Sequence, residues 1–553
     1  MNYQRKRLRL TTVVSLLSAV VILFSACGSA GGKDNRTLDE KGVYETGFPI
    51  VKEPVTLSIM TFDFNNGVDP KTTELMKALE KNTNIKLDWT VTTGHAAANL
   101  QAAYAADDLA DIISGFYCDI AYQWPYIQQG MVMQLDDLIP KYAPNIAAMF
   151  KSQPYTKYMS TAMDGKIYSL PNVLEADDSD NSTGMLINTK WLKALGLKMP
   201  TNTTDLVSVL RAFKNGDPNG NGKADEVPMM LHTDLPGEMY GWFGVSYNSE
   251  FPMYLKEGKE IAYAPLSEGY KSTLKFAASL ANEKLLNTSF IDVDDLTGYS
   301  AVVNAAVETV GVVGGWNVTA FDMDSNRQLN DYAYLGALSA DGATFVNNTT
   351  GYPHIWSDKT LISSKCKNPE AALRFLDYFY GEEGAMWLAY GPPGDKNAWN
   401  IKDGKYVKTL NNCPADMTVS SWMNTLTVGQ CLPTYTSKKL NDLIVDDETS
   451  AQAKVMARDV KERKSKLADF KSAQVPDLRY DEDALAFIQA QGRSIRDPME
   501  NHRRAIIKGE SNIDAIWSTY TNEIITYGAN KYAKFAEEAY SSFQDWLAQN
   551  SGE

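Results

Sequence analysis

Six residues capable of holding a metal ion fall in one short stretch, Asp217-Pro218-Asn219-Gly220-Asn221-Gly222-Lys223-Ala224-Asp225-Glu226. Side-chain oxygens at loop positions one, three, five and nine, with glycine at six for the sharp turn, form the pattern that wraps a hard cation. Lys223, at position seven, would lend its backbone carbonyl. Pro228 occupies position twelve, where a bidentate glutamate usually closes the shell, so Glu226 at position ten has to close it instead. A single such loop, followed by the strand-like run Val227 to Leu231 rather than a second helix, reads as a structural Ca2+ site and not a sensor. The competing reading is a hydrated, Asx-rich turn.

A second group of residues suits a carbohydrate, whose C–H faces lie on aromatic rings and whose hydroxyls need donors and acceptors. The run Val310-Gly311-Val312-Val313-Gly314-Gly315 stops at two glycines and then presents Trp316 and Asn317. Trp242, Trp356 and Trp399 lie in loops or at strand ends beside glycine or proline. Asp63, Phe64 and Tyr117 follow the first and third expected strands, where open α/β sheets place ligands. Each could also be a core or loop residue. Trp89, Trp191 and Trp387 sit within strands or helical stripes and read as core.

Bond-making chemistry has little support. The four histidines, His95, His232, His354 and His502, form no HExxH, and there is no GxSxG, P-loop or GxGxxG. A glycoside hydrolase needs two carboxylates across a cleft, and 68 acidic residues make such a pair easy to imagine and impossible to select.

The chain that must position these groups begins with Arg5, Lys6, Arg7 and Arg9, followed by an apolar segment from Leu10 to Ala26. That segment is shorter than the ~20 residues of a comfortable membrane span, which marks an export signal. It runs into Phe24-Ser25-Ala26-Cys27-Gly28, similar to a bacterial lipobox although Phe24 replaces the usual leucine. Cys27 would then carry a diacylglycerol anchor after cleavage of residues 1–26, with 27–50 as a flexible tether. Loss of the four basic residues takes the net charge from −15 to −19. Such acidity argues against nucleic acid or anionic lipid as partners. Cys118, Cys366, Cys413 and Cys431 are too few for a disulfide scaffold, though a single Cys413–Cys431 bridge is left open. The length requires at least two domains.

Short apolar runs alternate with helical periods: Val55–Phe62 as a strand, a helix opened by Asp69-Pro70, a strand from Ile85 to Val91, a helix near Ala96–Ala106, then a strand closing on Gly115. This is the pattern of a parallel sheet with right-handed crossovers, hence an α/β fold. Farther on, Asn368-Pro369-Glu370 opens a helix that buries Leu373, Leu376 and Phe379. The charged run Asp446–Asp469 reads as a solvated helical face, and amphipathic helices end the chain.

Several segments together resemble one family. These are Gln129-Gly130-Met131-Val132 leading to Leu135–Asn145, Asp164-Gly165-Lys166-Ile167-Tyr168-Ser169-Leu170-Pro171, Ile187–Leu192 with Leu195-Gly196-Leu197, and Cys366–Leu376. Their order is similar to that in solute-binding lipoproteins of oligosaccharide ABC importers. The resemblance implies a two-lobed periplasmic-binding-protein-like fold of type II, each lobe a mainly parallel sheet flanked by helices and discontinuous in sequence. Residues 51–175 and 358–425 would form lobe 1, and 176–357 and 426–553 lobe 2, with crossings near Asn172–Thr183, near Tyr352–Thr360 and between Asn411 and Lys438. It further implies a monomer that catalyses nothing, held at the outer face of the cell membrane through its lipid alone. Such a protein closes on an oligosaccharide and delivers it to ABC permease subunits driven by a separate ATPase. A surface hydrolase and a non-transporting sugar sensor or adhesin are the alternatives.

Overall fold

A computed structural model describes residues 36–550, except 117–119, 176–183, 233, 250, 258–259, 292, 294, 316–322, 349–351, 418, 447–450 and 468. The chain opens a sheet with β1 (Val55–Phe62), β2 (Ile85–Thr92) and β3 (Ile112–Ser114), all parallel, and adds β4 (Ser169–Leu174). It then builds a second sheet from β5 (Gly184–Asn188) and β6 (Val227–Leu231). A hairpin, β7 (Met253–Lys256) with β8 (Glu260–Tyr263), precedes β9 (Leu286–Asn287), β10 (Val310–Gly315) and β11 (Tyr332–Tyr334). β12 (His354–Ile362) returns to the first sheet. The hairpin of β13 (Trp399–Lys402) and β14 (Lys405–Lys408) follows, then β15 (Tyr435–Thr436) in the first sheet and β16 (Ile444–Asp446) beside β14.

The strand orders are β15-β4-β12-β3-β1-β2 and β11-β5-β10-β6-β9. Only β12 runs against the first sheet and only β5 against the second, so each has one carboxyl edge where its parallel strands end together. The crossing from β4 to β5 leaves one carboxyl edge and arrives at the other. This is the α/β architecture expected of a type II binding-protein fold.

Local chemistry explains the helices between the strands. Thr73 caps Glu74–Thr83 through Oγ1, which accepts from the Met76 amide at 3.3 Å, while Asp69 caps only a short 3-10 turn, Pro70–Thr72. The expected single helix is therefore two pieces, because Thr73 offers a second cap. Asn188 and Asn202 cap Thr189–Ala194 and Thr203–Asn215 in the same way. Asn368 makes no side-chain cap, and Pro369 at the first position starts its helix without one. Glycine in β10 permits close packing: a β-carbon on Gly311 would stand 2.4 Å from the Phe213 ring.

One possibility that the sequence left open is settled here, and one expectation fails. Cys366, Cys413 and Cys431 are free thiols, so there is no Cys413–Cys431 bridge; Cys431 is buried with its Sγ 3.7 Å from the Phe62 carbonyl oxygen. The charged run also does more than face water. In the helix Ala451–Leu467 the residues Val455, Asp459, Arg463 and Leu467 are all at most 4% exposed. Their four-residue spacing puts two charges inside a buried stripe. No helix among the described residues is long and apolar enough to cross a membrane.

Candidate functional site

At the carboxyl edge of the first sheet, small polar side chains line the strand ends. Thr61, Ser114 and Thr360 are fully buried neighbours, with Ser114 Oγ and Thr360 Oγ1 2.6 Å apart. Gly115 turns the chain away at φ +78; a β-carbon there would meet Thr61 Oγ1 at 2.8 Å and the Phe64 ring at 3.0 Å, so only glycine fits. Asp63 spends its carboxylate on its own loop, accepting from the Asn65 and Gly67 amides at 2.9 Å each. Phe64 is half-buried, edge-on to Phe62 at 5.4 Å. The buried Asn65 amide donates to the carbonyls of Asn424 and Thr427, which ties this loop to the segment before β15.

β12 extends past the end of β3. Thr360 pairs with Ser114, and the residues preceding it in sequence continue beyond that strand's end, placing His354 and Trp356 at the carboxyl edge. Trp356 is half-buried and lies opposite Asn172 of β4. Trp316, Asn317, Tyr117 and Cys27 lie outside the described residues.

Two expected ligand residues are core instead. Trp242 is 0% exposed and packs edge-on to Phe276. Trp399 is also 0% exposed, its Nε1 donating to the Gly391 carbonyl at 2.6 Å and its ring edge-on to Tyr406. Glycine-flanked positions read as open loops in sequence, yet small neighbours also let backbone close over a large ring, which is what happens at both sites.

The second carboxyl edge holds a polar network that sequence reading missed. Glu238 and Arg463, 2% and 1% exposed, approach within 4.0 Å, and Tyr334 at the end of β11 donates its hydroxyl to Glu238. Lys466 donates to the Tyr334 carbonyl, and the Tyr334 amide to Glu462. Burial pushes the Glu238 carboxyl up to about 7, against the pull of Arg463 and the Tyr334 hydroxyl. The legible signal was the four-residue spacing from Val455 to Leu467.

The cation-loop residues come together on the surface. Asp217 adopts φ 45, and its two carboxylate oxygens accept from the amides of Asn221 and Gly222 at 3.0 Å. The Asn219 and Asn221 side chains both reach Asp225, with contacts of 3.0–3.1 Å, and hold its carboxyl below the usual range. Glu226 Oε1 is buried without a hydrogen-bond partner, and burial beside Asp225 and Asp217 raises its pKa. An orphaned acidic oxygen is a donor that a hard cation would satisfy, and rotation of the two asparagine amides would add their oxygens. The residues thus fit Ca2+, although among the described residues no three acidic, histidine or cysteine side chains converge as a ready cluster. The loop is anchored to the second sheet, Asn219 donating to the Glu308 carbonyl and the Val227 amide to Thr309.

Comparison with known proteins gives a consistent result. A family model for bacterial extracellular solute-binding proteins matches residues 66–386, more than half of the chain. The fructooligosaccharide ABC transporter substrate-binding protein FusA of Streptococcus pneumoniae serotype 4 is 28% identical over 554 residues, covering 96% of this chain and 97% of FusA. A structure described as the FusA EF-hand mutant with fructo-nystose superposes with TM-score 0.74 at 24% identity, covering 89% of this chain and 100% of that one. A solute-binding protein from Bifidobacterium longum infantis, described as binding HMO and as ABC-transporter associated, gives TM-score 0.75 at 20% identity, with 89% and 99% covered.

Proposed function

The chain belongs to the bacterial extracellular solute-binding proteins, and from that premise we propose that it is the substrate-binding lipoprotein of an ABC importer for oligosaccharides. The observation that carries this reading is the likeness to FusA along almost the whole of both chains. A likeness of that extent covers both sheets and the segments that join them. Residues 51–175 and 354–436 make one lobe and 176–353 and 437–553 the other, which moves two of the bounds expected from sequence. Supporting this division, β1 to β4 pair in one sheet and β5, β6 and β9 to β11 in the other. Because β12 and β15 pair with the first sheet, we place two crossings just before His354 and just after Thr436.

Ligand binds between the two carboxyl edges, with Trp316, Trp356, Tyr117 and Phe64 offering ring faces and Asn317 an amide. Closure is favoured because ligand touches more surface in the shut state. Cys27 carries the lipid and residues 27–50 the tether, which keeps the receptor close to its permease and raises its effective concentration there. The loop Asp217–Glu226 binds a structural Ca2+, as the description of FusA as having an EF-hand suggests. No bond of the sugar is broken; transport energy comes from a separate ATPase. The protein acts as a monomer.

The deciding experiment is a thermal-shift screen of the mature protein against neutral and acidic oligosaccharides, beginning with kestose and nystose. One chemical class raises the melting temperature, and the shift disappears in Trp316→Ala. If no oligosaccharide moves the melt, or if any is cleaved on incubation, the receptor reading is wrong.

A further inference from the structure

Asn172, an amide in the middle of a strand, is 8% exposed. Its cross-strand neighbour is Trp356, so the amide and the indole leave the sheet side by side on one face. The other face of the same ladder, Val173 opposite Ile355, is core, at 0% and 5% exposed. Asn172 is therefore on the side of the sheet that does not carry that packing.

The indole beside it is held in place. His354 lies two residues away on the same strand face and meets Trp356 edge-on, ring centroids 4.1 Å apart at 88°. On the other side of Trp356 the register slips, because Trp356 pairs with Asn172 and Thr360 with Leu170, so four steps of β12 oppose two of β4. Such bulges re-aim side chains and are common beside binding sites. The result is a ring and an amide next to each other at the carboxyl edge.

Building on the oligosaccharide-receptor reading above, we propose that Asn172 is a specificity-determining residue of that site. Its amide pairs with adjacent hydroxyls of the sugar unit whose C–H face lies on Trp356. An amide offers two donors and one acceptor, which matches neighbouring hydroxyls and requires no charge on the ligand. His354 is a positioning residue that fixes the indole edge-on.

The test is calorimetric titration and unliganded melting of the mature protein and of Asn172→Leu. The panel is kestose, nystose, and malto-, xylo- and manno-oligosaccharides. The expected result is a loss of affinity on the order of 10- to 100-fold with the unliganded melting temperature kept. Asn172→Ala reads the same affinity change if the leucine variant does not fold. Unchanged affinity overturns the proposal and leaves the receptor reading intact. A drop in both affinity and unliganded melting temperature makes the amide structural and also overturns it. If no sugar binds the unaltered protein, the receptor reading falls and the proposal falls with it.

Discussion

The guanidinium of Arg463 lies against Gly184, its Cζ 3.5 Å from where a β-carbon on that glycine would stand. A side chain from a late helix thus seals the first residue of β5, where the chain enters the second sheet, and does so while paired with buried Glu238. At 3.5 Å a methyl group makes ordinary contact, and anything larger displaces the cation.

Gly184→Ala is therefore expected to change unfolding free energy by no more than about 0.5 kcal/mol. Gly184→Leu should cost roughly 3 kcal/mol, because it leaves Glu238 buried without its cation. Chemical denaturation measures both. Equal midpoints for the leucine variant and the unaltered protein would mean that this contact carries no load.

The Glu238 carboxyl titrates near 7 in the fold and well below that when unfolded. Its folded-state value is raised, so its contribution to stability is full in acid and disappears as pH rises through about 7. Glu238→Gln removes that dependence. Melting temperatures of the two proteins should differ least near pH 4, below the ordinary glutamate value, and the variant should gain on the unaltered protein as pH rises past about 7. A gap that moves the other way contradicts the assignment.

Chelation tests the cation loop. Stripping the mature protein with EDTA should lower its melting temperature, and adding Ca2+ should restore it, by about 2.7 kcal/mol at a hundredfold excess over Kd. Asp217→Asn together with Asp225→Asn should melt low and ignore Ca2+. Elemental analysis that finds no metal, with an unaltered melt, rules the site out.

Trp242 and Trp356 should separate stability from binding. Trp242→Ala opens a cavity in the core and should cost about 3–5 kcal/mol while leaving the affinity of the folded fraction near normal. Half-buried Trp356→Ala should melt close to the unaltered protein and lose sugar affinity. Equivalent behaviour of the two variants would mean that burial does not distinguish their roles.

Much of this protein is legible in its residues. Alternation from Val55 to Phe62 and from Ile85 onward sets strands because period-two side chains need two different faces. The pattern from Asp217 to Glu226 is legible locally, since a cation loop would draw its ligands from consecutive positions. The family likeness rests on ordered segments that are structural in any reading. Ranking the tryptophans was not legible. Trp242 and Trp399 look like Trp356 in sequence, each near glycine or proline, and only the fold buries the first two.

The sequence alone determined the acidic charge and the alternating strand and helix pattern and raised the expectation of an export signal and a cation loop, because each depends on residues close along the chain. The tertiary structure decided what depends on residues far apart. It put Arg463 under Gly184, two charges inside a helix stripe, and Asn172 beside Trp356 across 184 positions of sequence. Strand pairing, not proximity along the chain, decides which side chains share a face, so the residues of the proposed sugar site could be nominated from sequence but not assembled.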